Sequence, residues 1–227
     1  MSFFENTRKP IGFGGKIMVA MMNVGHSAVA RWGLQFLNTA PDAKVLDCGC
    51  GGGANIRRLL KKCPQGIVKG IDYSPVSVEK SKKVNEAAIA EGRCAVLQGS
   101  VADMIFADDW FDAVTAFETV YFWPDLPQCF REVYRVLKPG GKVVILEFST
   151  PRNPLFRRVY GLYSHRLLPA IGGMISKDRK AYEYLPASVD EFPAPECFMA
   201  MMREAGFKDC RARSQSLGIA QIYTGEK

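Results

Sequence analysis

From residue 44 onward, short apolar runs alternate with segments of helical spacing, the pattern of parallel strands joined by crossover helices. Val45 and Leu46 begin a buried strand, Lys44–Cys48, and the segment from Ala54 through Leu60 continues as a helix to about Cys63. A second strand, Ile67–Asp72, ends in an acid. Pro75 starts a helix that runs from Val76 to about Glu91, where Gly92 stops it. Strand three is Cys94–Gln98 and strand four Ala113–Phe117. Helix Leu126–Leu137 then ends at the stop-and-turn signal Lys138–Pro139–Gly140–Gly141. Strand five, Lys142–Phe148, is almost wholly apolar and is expected near the sheet centre. A helix Pro195–Ala205, Gly206 and two strands, Lys208–Ser214 and Gly218–Thr224, close the chain. Their link is too short for a crossover, so these last strands are expected to be antiparallel. The predicted fold is α/β, a doubly wound seven-stranded sheet.

Two stretches fall outside this alternation. Met1–Pro10 is polar, Gly12–Gly15 makes a flexible joint, and the Met-rich segment Lys16–Asn23 and the segment Ser27–Leu37 read as helices. Such helices pack adaptably over apolar ligands, and ordinary core packing explains them equally well. Residues 150–195 carry the apolar-basic segment Leu155–Leu168, a Gly-rich turn and a second helical stretch, Asp178–Leu185. This reads as an inserted helical lid. The expected organisation is one domain, 1–227: a helical cap (1–40), a core (41–149), the lid (150–195) and a closing helix with strands (196–227). In the lid, Arg157, Arg158 and Arg166 interleave with Leu155, Phe156, Val159, Leu162, Leu167 and Leu168. A basic amphipathic helix of this kind either lies against anionic membrane headgroups or packs its apolar face on the domain.

Composition narrows the class. The 227 residues, 48% apolar and 11% aromatic, suffice for one α/β domain and exclude a disordered chain. The net charge of +7 comes in short groups with no nucleic-acid motif, so solvated helix faces are expected and no nucleic-acid partner. Seven cysteines without zinc-like pairs point to a reducing compartment, the cytoplasm, and no metal site is expected. No apolar run reaches membrane-helix length. Ile17–Met22 imitates a signal peptide only loosely, since Asn23 and His26 interrupt it.

The chemistry concentrates in Asp47-x-Gly49-x-Gly51-x-Gly53. Glycines there allow a sharp strand-to-helix turn and close approach of a ligand to the backbone. A carboxylate just ahead of them repels a pyrophosphate and suits a cationic or hydroxyl-bearing ligand. As Gly49-x-Gly51-x-x-Ala54, the stretch also fits the nicotinamide dinucleotide fingerprint. Asp72 lies about twenty residues beyond the turn, where such folds place the acid that grips a ribose diol. Phe111–Asp112–Ala113–Val114 and Leu137–Lys138–Pro139–Gly140–Gly141 follow in order.

Taken as an ordered set, these motifs resemble the class I S-adenosylmethionine-dependent methyltransferases, over roughly Pro41 to Phe148. The resemblance implies a Rossmann-like fold and S-adenosyl-L-methionine as cofactor. It implies that Asp47, Gly49, Cys50, Gly51 and Gly53 take the methionine end, and that Asp72, with Tyr73 beside it, takes the ribose. Ser100 and Val101 would cover the adenine edge, and Phe117 would flank the cofactor. Family members commonly carry Asp or Asn where Ser100 stands, so here the adenine amino group meets a neutral oxygen. A nicotinamide-dependent dehydrogenase and a non-catalytic relative are the alternatives.

The second half contains Glu147–Pro151, Leu155–Tyr160, Leu162–Ser164, Leu168–Gly172, Ala181–Pro186, Met201–Met202-x-x-Ala205–Gly206–Phe207 and Gly218–Ala220. This succession resembles the ubiquinone/menaquinone biosynthesis C-methyltransferases, which methylate a ring carbon of a prenylated quinol. Where those enzymes carry a Gly-Leu-Arg-Asn-Val type segment, this chain has Glu118–Thr119–Val120–Tyr121–Phe122–Trp123–Pro124. Tyr121, Phe122 and Trp123 are therefore the expected contacts for a flat or apolar small-molecule acceptor. His165 is the leading candidate base for a phenolic acceptor, with Tyr163 and His26 behind it.

Overall fold

The computed structural model describes residues 27–149, 151, 153, 158 and 192–227. The Lys16–Asn23 helix, His26, Tyr163, His165 and most of the expected lid lie outside the described residues. Of Leu155–Leu168 only Arg158, which is exposed, lies inside them. A seven-stranded sheet in the order β3-β2-β1-β4-β5-β7-β6 organises the described residues. Strands β1 (Lys44–Cys48), β2 (Ile67–Asp72), β3 (Cys94–Gln98), β4 (Phe111–Phe117) and β5 (Leu137–Phe148) pair in parallel. β7 (Ala220–Glu226) runs antiparallel both to β5 and to β6 (Lys208–Gln215). The expected doubly wound sheet with an antiparallel end is what forms. The winding reverses between β1 and β4, and the crevice beyond the carboxyl ends of such strands is where these folds take their ligands.

Helices cover both faces, which is why the parallel strands read as apolar runs. On one face α1 (Ser27–Gly33), α2 (Ala54–Lys62), α3 (Pro75–Val84) and α4 (Glu86–Ala90) bury Ala30, Ile56, Leu59, Val78 and Ala88. On the other, α5 (Leu126–Val136) and α6 (Pro195–Glu204) bury Phe130, Val133, Phe198 and Met202 against Val114, Ile145 and Tyr223. Among the described residues no helix is long and apolar enough to cross a membrane.

Several boundaries differ from the sequence expectation. The helix expected from Val76 to Glu91 breaks at Asn85, whose buried side-chain amide donates to the carbonyls of Gly53 (3.0 Å) and Ser81 (2.9 Å). Satisfying the Gly53 carbonyl from beneath ties this joint to the glycine turn, and the Asn85 backbone leaves helical values (φ −116°, ψ 21°). The first described helix tightens into a 3-10 turn at Leu34–Phe36. β4 starts two residues early, at Phe111, and β5 takes in Leu137, which pairs with Phe111 before a register shift. There Asp112 accepts from the Lys44 amide (2.7 Å) and the Lys138 ammonium (2.6 Å). Thus Phe-Asp-Ala-Val and Leu-Lys-Pro-Gly-Gly form one joint at the amino ends of β1, β4 and β5, at the opposite edge from the ligand crevice.

Candidate cofactor and acceptor site

β1 delivers Asp47 and Cys48 to the carboxyl edge, and Gly49, Gly51 and Gly53 then take φ of 67°, 51° and 78°. All three are left-handed, a region that glycine enters without the side-chain clash. Their surroundings differ. A Cβ on Gly49 would sit 1.8 Å from the Thr119 hydroxyl, and one on Gly53 would sit 2.5 Å from both Asn85 Nδ2 and Ser81 Oγ. Among the described residues, a Cβ on Gly51 would meet nothing within 4 Å. The outer two glycines are demanded by the protein's own packing, whereas Gly51 faces open space.

Asp47 is only 2% exposed. Its Oδ1 accepts from Thr115 Oγ1 (2.6 Å) and Asn55 Nδ2 (2.8 Å), while Oδ2 has no partner among the described residues. Burial pushes this carboxyl up to about 6, against the hydrogen bonds from Thr115 and Asn55. An unpartnered buried carboxylate oxygen is costly and calls for a compensating cation. Asp72 closes β2 as expected, but both its oxygens already hold amides: Oδ2 accepts from Gly51 N (2.8 Å) and Oδ1 from Ser74 N (2.9 Å). Burial raises its pKa and these two backbone bonds oppose the rise. Each carboxylate oxygen keeps a further lone pair for a ligand hydroxyl. Ser74 also caps α3, accepting from Ser77 N at 3.4 Å.

The other expected cofactor residues gather at the same edge with different degrees of freedom. The Cys50 thiol is turned inward, 3.9 Å from Ser81 Oγ and 2.9 Å from the point a Gly70 Cβ would occupy. That leaves its backbone to meet a ligand. Tyr73 is half-buried and its carbonyl accepts from Gln98 Nε2. Ser100 Oγ accepts from Ala102 N (3.2 Å) within its own loop, and Val101 is buried in the core with Ile71 and Met104. Phe117 ends β4, and the Gly33 backbone of α1 packs on its ring, a Cβ there falling 3.0 Å from Cε2. The segment before β1 therefore reaches the edge of the site.

The acceptor-side run forms a 3-10 turn, Val120–Phe122. Tyr121 does not simply present its face: its hydroxyl accepts from Phe148 N (3.2 Å) and its ring meets Phe122 and Phe192 edge-on, each at 5.5 Å. Trp123 packs against Phe130 at 6.0 Å on the core face, and its indole N–H has no acceptor among the described residues. Phe192, which also stacks on Phe198, joins this group and was not foreseen.

Sequence reasoning also passed over Asn55, Thr119 and Glu147 as site residues. Glu147 is fully buried at the carboxyl end of β5. Its Oε1 accepts from Thr119 N (2.9 Å) and Val120 N (2.7 Å). Burial pushes it up to about 8, opposed by hydrogen bonds from Tyr121, Val120 and Thr119. The available signal was a lone acid in an otherwise apolar strand.

Comparison with known proteins identifies the family of the chain. The model of the ubiE/COQ5 methyltransferase family matches residues 17–227. The ubiquinone/menaquinone biosynthesis C-methyltransferase UbiE of Geotalea daltonii is 42% identical over 198 residues, 87% of this chain and 84% of that protein. The demethylmenaquinone methyltransferase of Thermus thermophilus is 38% identical over 191 residues, 84% of this chain and 85% of that protein. In fold, the chain is similar to one in the complex of the Haloferax volcanii Trm112 methyltransferase activator with a methyltransferase. That match has a TM-score of 0.71 at 18% identity and covers 93% of each chain. The chain belongs to the ubiE/COQ5 methyltransferase family and is an S-adenosylmethionine-dependent methyltransferase.

Proposed function

We propose that this enzyme transfers a methyl group from S-adenosylmethionine to a ring carbon of a quinol-like, apolar aromatic acceptor. The observation that carries the cofactor assignment is a buried Asp47 oxygen without a partner among the described residues, beside a glycine turn whose central member, Gly51, meets none of those residues within 4 Å of a Cβ. A ligand with an ammonium and a sulfonium fits that donor set, and a pyrophosphate does not. When bound, S-adenosylmethionine supplies a methyl group already activated by its sulfonium. Asp47 and the Gly49–Gly53 backbone hold the methionine end, Asp72 with Tyr73 the ribose, Ser100 and Val101 the adenine edge, and Phe117 flanks the cofactor. Phe122, together with the exposed parts of Tyr121 and Trp123, packs the acceptor and excludes water, leaving alignment as the main contribution of the protein. His165 or Tyr163, from the segment 150–195, takes the hydroxyl proton of a phenolic acceptor; the methylated ring carbon then loses its own hydrogen as a proton, which restores the aromatic ring, and the oxygen regains a proton from the base. The quinol itself is suggested by the names of the two relatives. The whole chain works as one domain, with the cap 1–40 and the insertion 150–195 as parts of it.

Calorimetric titration with S-adenosylhomocysteine and with NAD tests the cofactor: micromolar binding of the first and none of the second is expected. Binding of NAD alone would overturn the assignment. Incubation with methyl-labelled cofactor and a panel containing a demethylated prenyl naphthoquinol, followed by mass spectrometry, then tests the acceptor. Label on the quinol ring carbon is expected, and label on a soluble phenol or amine alone would reject the quinol.

A further inference from the structure

We infer that Glu147 is a positioning residue: from β5 it clasps the turn after β4 and thereby fixes both the cofactor-side glycine turn and the acceptor-side aromatic turn. The inference rests on the reading of this crevice as the methyl-transfer site. Beyond Phe117 the chain cannot continue as strand. Glu118 donates its amide to the Leu146 carbonyl (2.7 Å) and then adopts φ 58°, a left-handed value uncommon for a side chain with a Cβ. Thr119 follows at φ −135°, ψ −20°. This pair of conformations turns two successive amides, Thr119 N and Val120 N, onto a single oxygen, Glu147 Oε1, at 2.9 and 2.7 Å. Thr119 caps the 3-10 turn Val120–Phe122 without a side-chain bond of its own, so Glu147 supplies the cap from a different strand.

Two consequences follow from the same clasp. Thr119 is laid directly on Gly49, with its hydroxyl 1.8 Å from where a Cβ would stand. The position of the first glycine of the cofactor turn is thus set by the turn that Glu147 holds. In the other direction, the turn carries Tyr121, whose hydroxyl accepts from Phe148 N, the residue after Glu147 on β5. The acceptor-side ring therefore sits on a turn that Glu147 caps and is anchored to β5 one residue beyond that carboxyl. Glu147 and Val120 are 0% and 1% exposed, so water does not replace these bonds. A buried carboxyl is an expensive way to satisfy two amides, and such groups collect where geometry serves function.

The test uses three variants of the full-length protein and S-adenosylhomocysteine as the probe. Glu147→Gln keeps the shape and the Oε1 acceptor and is expected to bind within about threefold of wild type. Glu147→Leu removes the acceptor, leaves both amides unpaired and is expected to bind at least tenfold more weakly while still melting cooperatively. A Leu variant that melts lower but binds as wild type would make Glu147 merely structural and overturn the inference. Should the Leu variant fail to fold, Glu147→Asp draws the oxygen back from both amides while retaining an acid. A loss of fivefold or more supports the clasp, and unchanged affinity overturns it. Absence of S-adenosylhomocysteine binding by wild type would instead sink the methyl-transfer reading, and the clasp with it.

Discussion

Asp47→Asn is expected to make the ligand-free protein more stable at neutral pH and a poorer binder of its cofactor. The Asp47 carboxyl rises from an ordinary 3.8 to about 6, chiefly through burial, with Thr115 and Asn55 opposing. At about 1.36 kcal/mol per tenfold change in acidity, this corresponds to roughly 3 kcal/mol. The sign follows from the direction. A carboxyl raised on folding holds its proton more tightly in the folded state. Its contribution is intact below 3.8 and is lost as pH rises through about 6. Above that window, the ligand-free enzyme bears the full penalty of a buried charge. Asparagine keeps the Oδ1 acceptor for Thr115 and Asn55 and removes the charge. The advantage of the variant should grow by about 2 kcal/mol between pH 4.5 and 8, which for a chain of this size is about 4–8 °C in melting temperature.

Urea unfolding of both proteins across that range measures the difference, and calorimetry with S-adenosylhomocysteine at about pH 8 measures the cost. Loss of one charged partner of a buried pair is worth at least about 2 kcal/mol, more than tenfold in affinity. A variant destabilised equally at all pH values, with unchanged affinity, would show that Asp47 is a structural acid whose unpartnered oxygen has no ligand to meet.

Gly51→Ala should fold with a penalty of about 1–2 kcal/mol from its left-handed φ and yet lose S-adenosylhomocysteine binding, because its Cβ meets no atom of the described residues and enters the space proposed for the ligand. Gly49→Ala, whose Cβ would collide with Thr119, should lower the melting temperature far more, and the two melts read side by side decide it. Asp72→Ala should weaken S-adenosylhomocysteine binding by roughly 1.5–3 kcal/mol. It should also melt lower, since the amides of Gly51 and Ser74 lose their acceptor; unchanged affinity in calorimetry would remove Asp72 from the ribose. Full-length protein is expected to sediment with anionic liposomes at low salt, and glutamine at Arg157, Arg158 and Arg166 to release it without altering cofactor affinity; no sedimentation at low salt would leave those arginines simply solvated.

The cofactor half of the candidate site is legible in the sequence because it is built locally. Val45 and Leu46 lie in a parallel strand covered on both faces, so the run is apolar. The direction of a doubly wound sheet then places whatever follows, here Asp47 and the glycines, at the ligand edge. Asp72 is placed by the same rule one strand over. The break at Asn85 was hidden because residues on either side keep helical character, and only the Gly53 carbonyl, far away in sequence, demands that side chain. In sequence Asn55 looks like an ordinary helix residue for the same reason; its partner Asp47 belongs to the preceding strand.

The acceptor half resisted reading because register assembles it. Nothing local to Glu147 says that it will face the Thr119 and Val120 amides; that follows from Phe117 pairing with Leu146, which brings the end of β5 beside the turn leaving β4. Likewise three consecutive aromatics suggest an open wall for a flat acceptor. Yet the Tyr121 hydroxyl is committed to Phe148 N, and Trp123 packs on Phe130 of α5. Phe192, ahead of α6, completes a group that no contiguous motif contains. On the proposed reading, a segment whose rings are held from β5, α5 and the entry to α6 cannot change its acceptor by exchange of those rings alone. Grafting a Gly-Leu-Arg-Asn-Val type segment between Phe117 and Pro124 would leave Glu147 buried and would undo the Thr119 contact that seats Gly49. On the proposed reading, acceptor choice and cofactor binding in this chain are coupled through the turn after β4 and have to be altered together with Glu147.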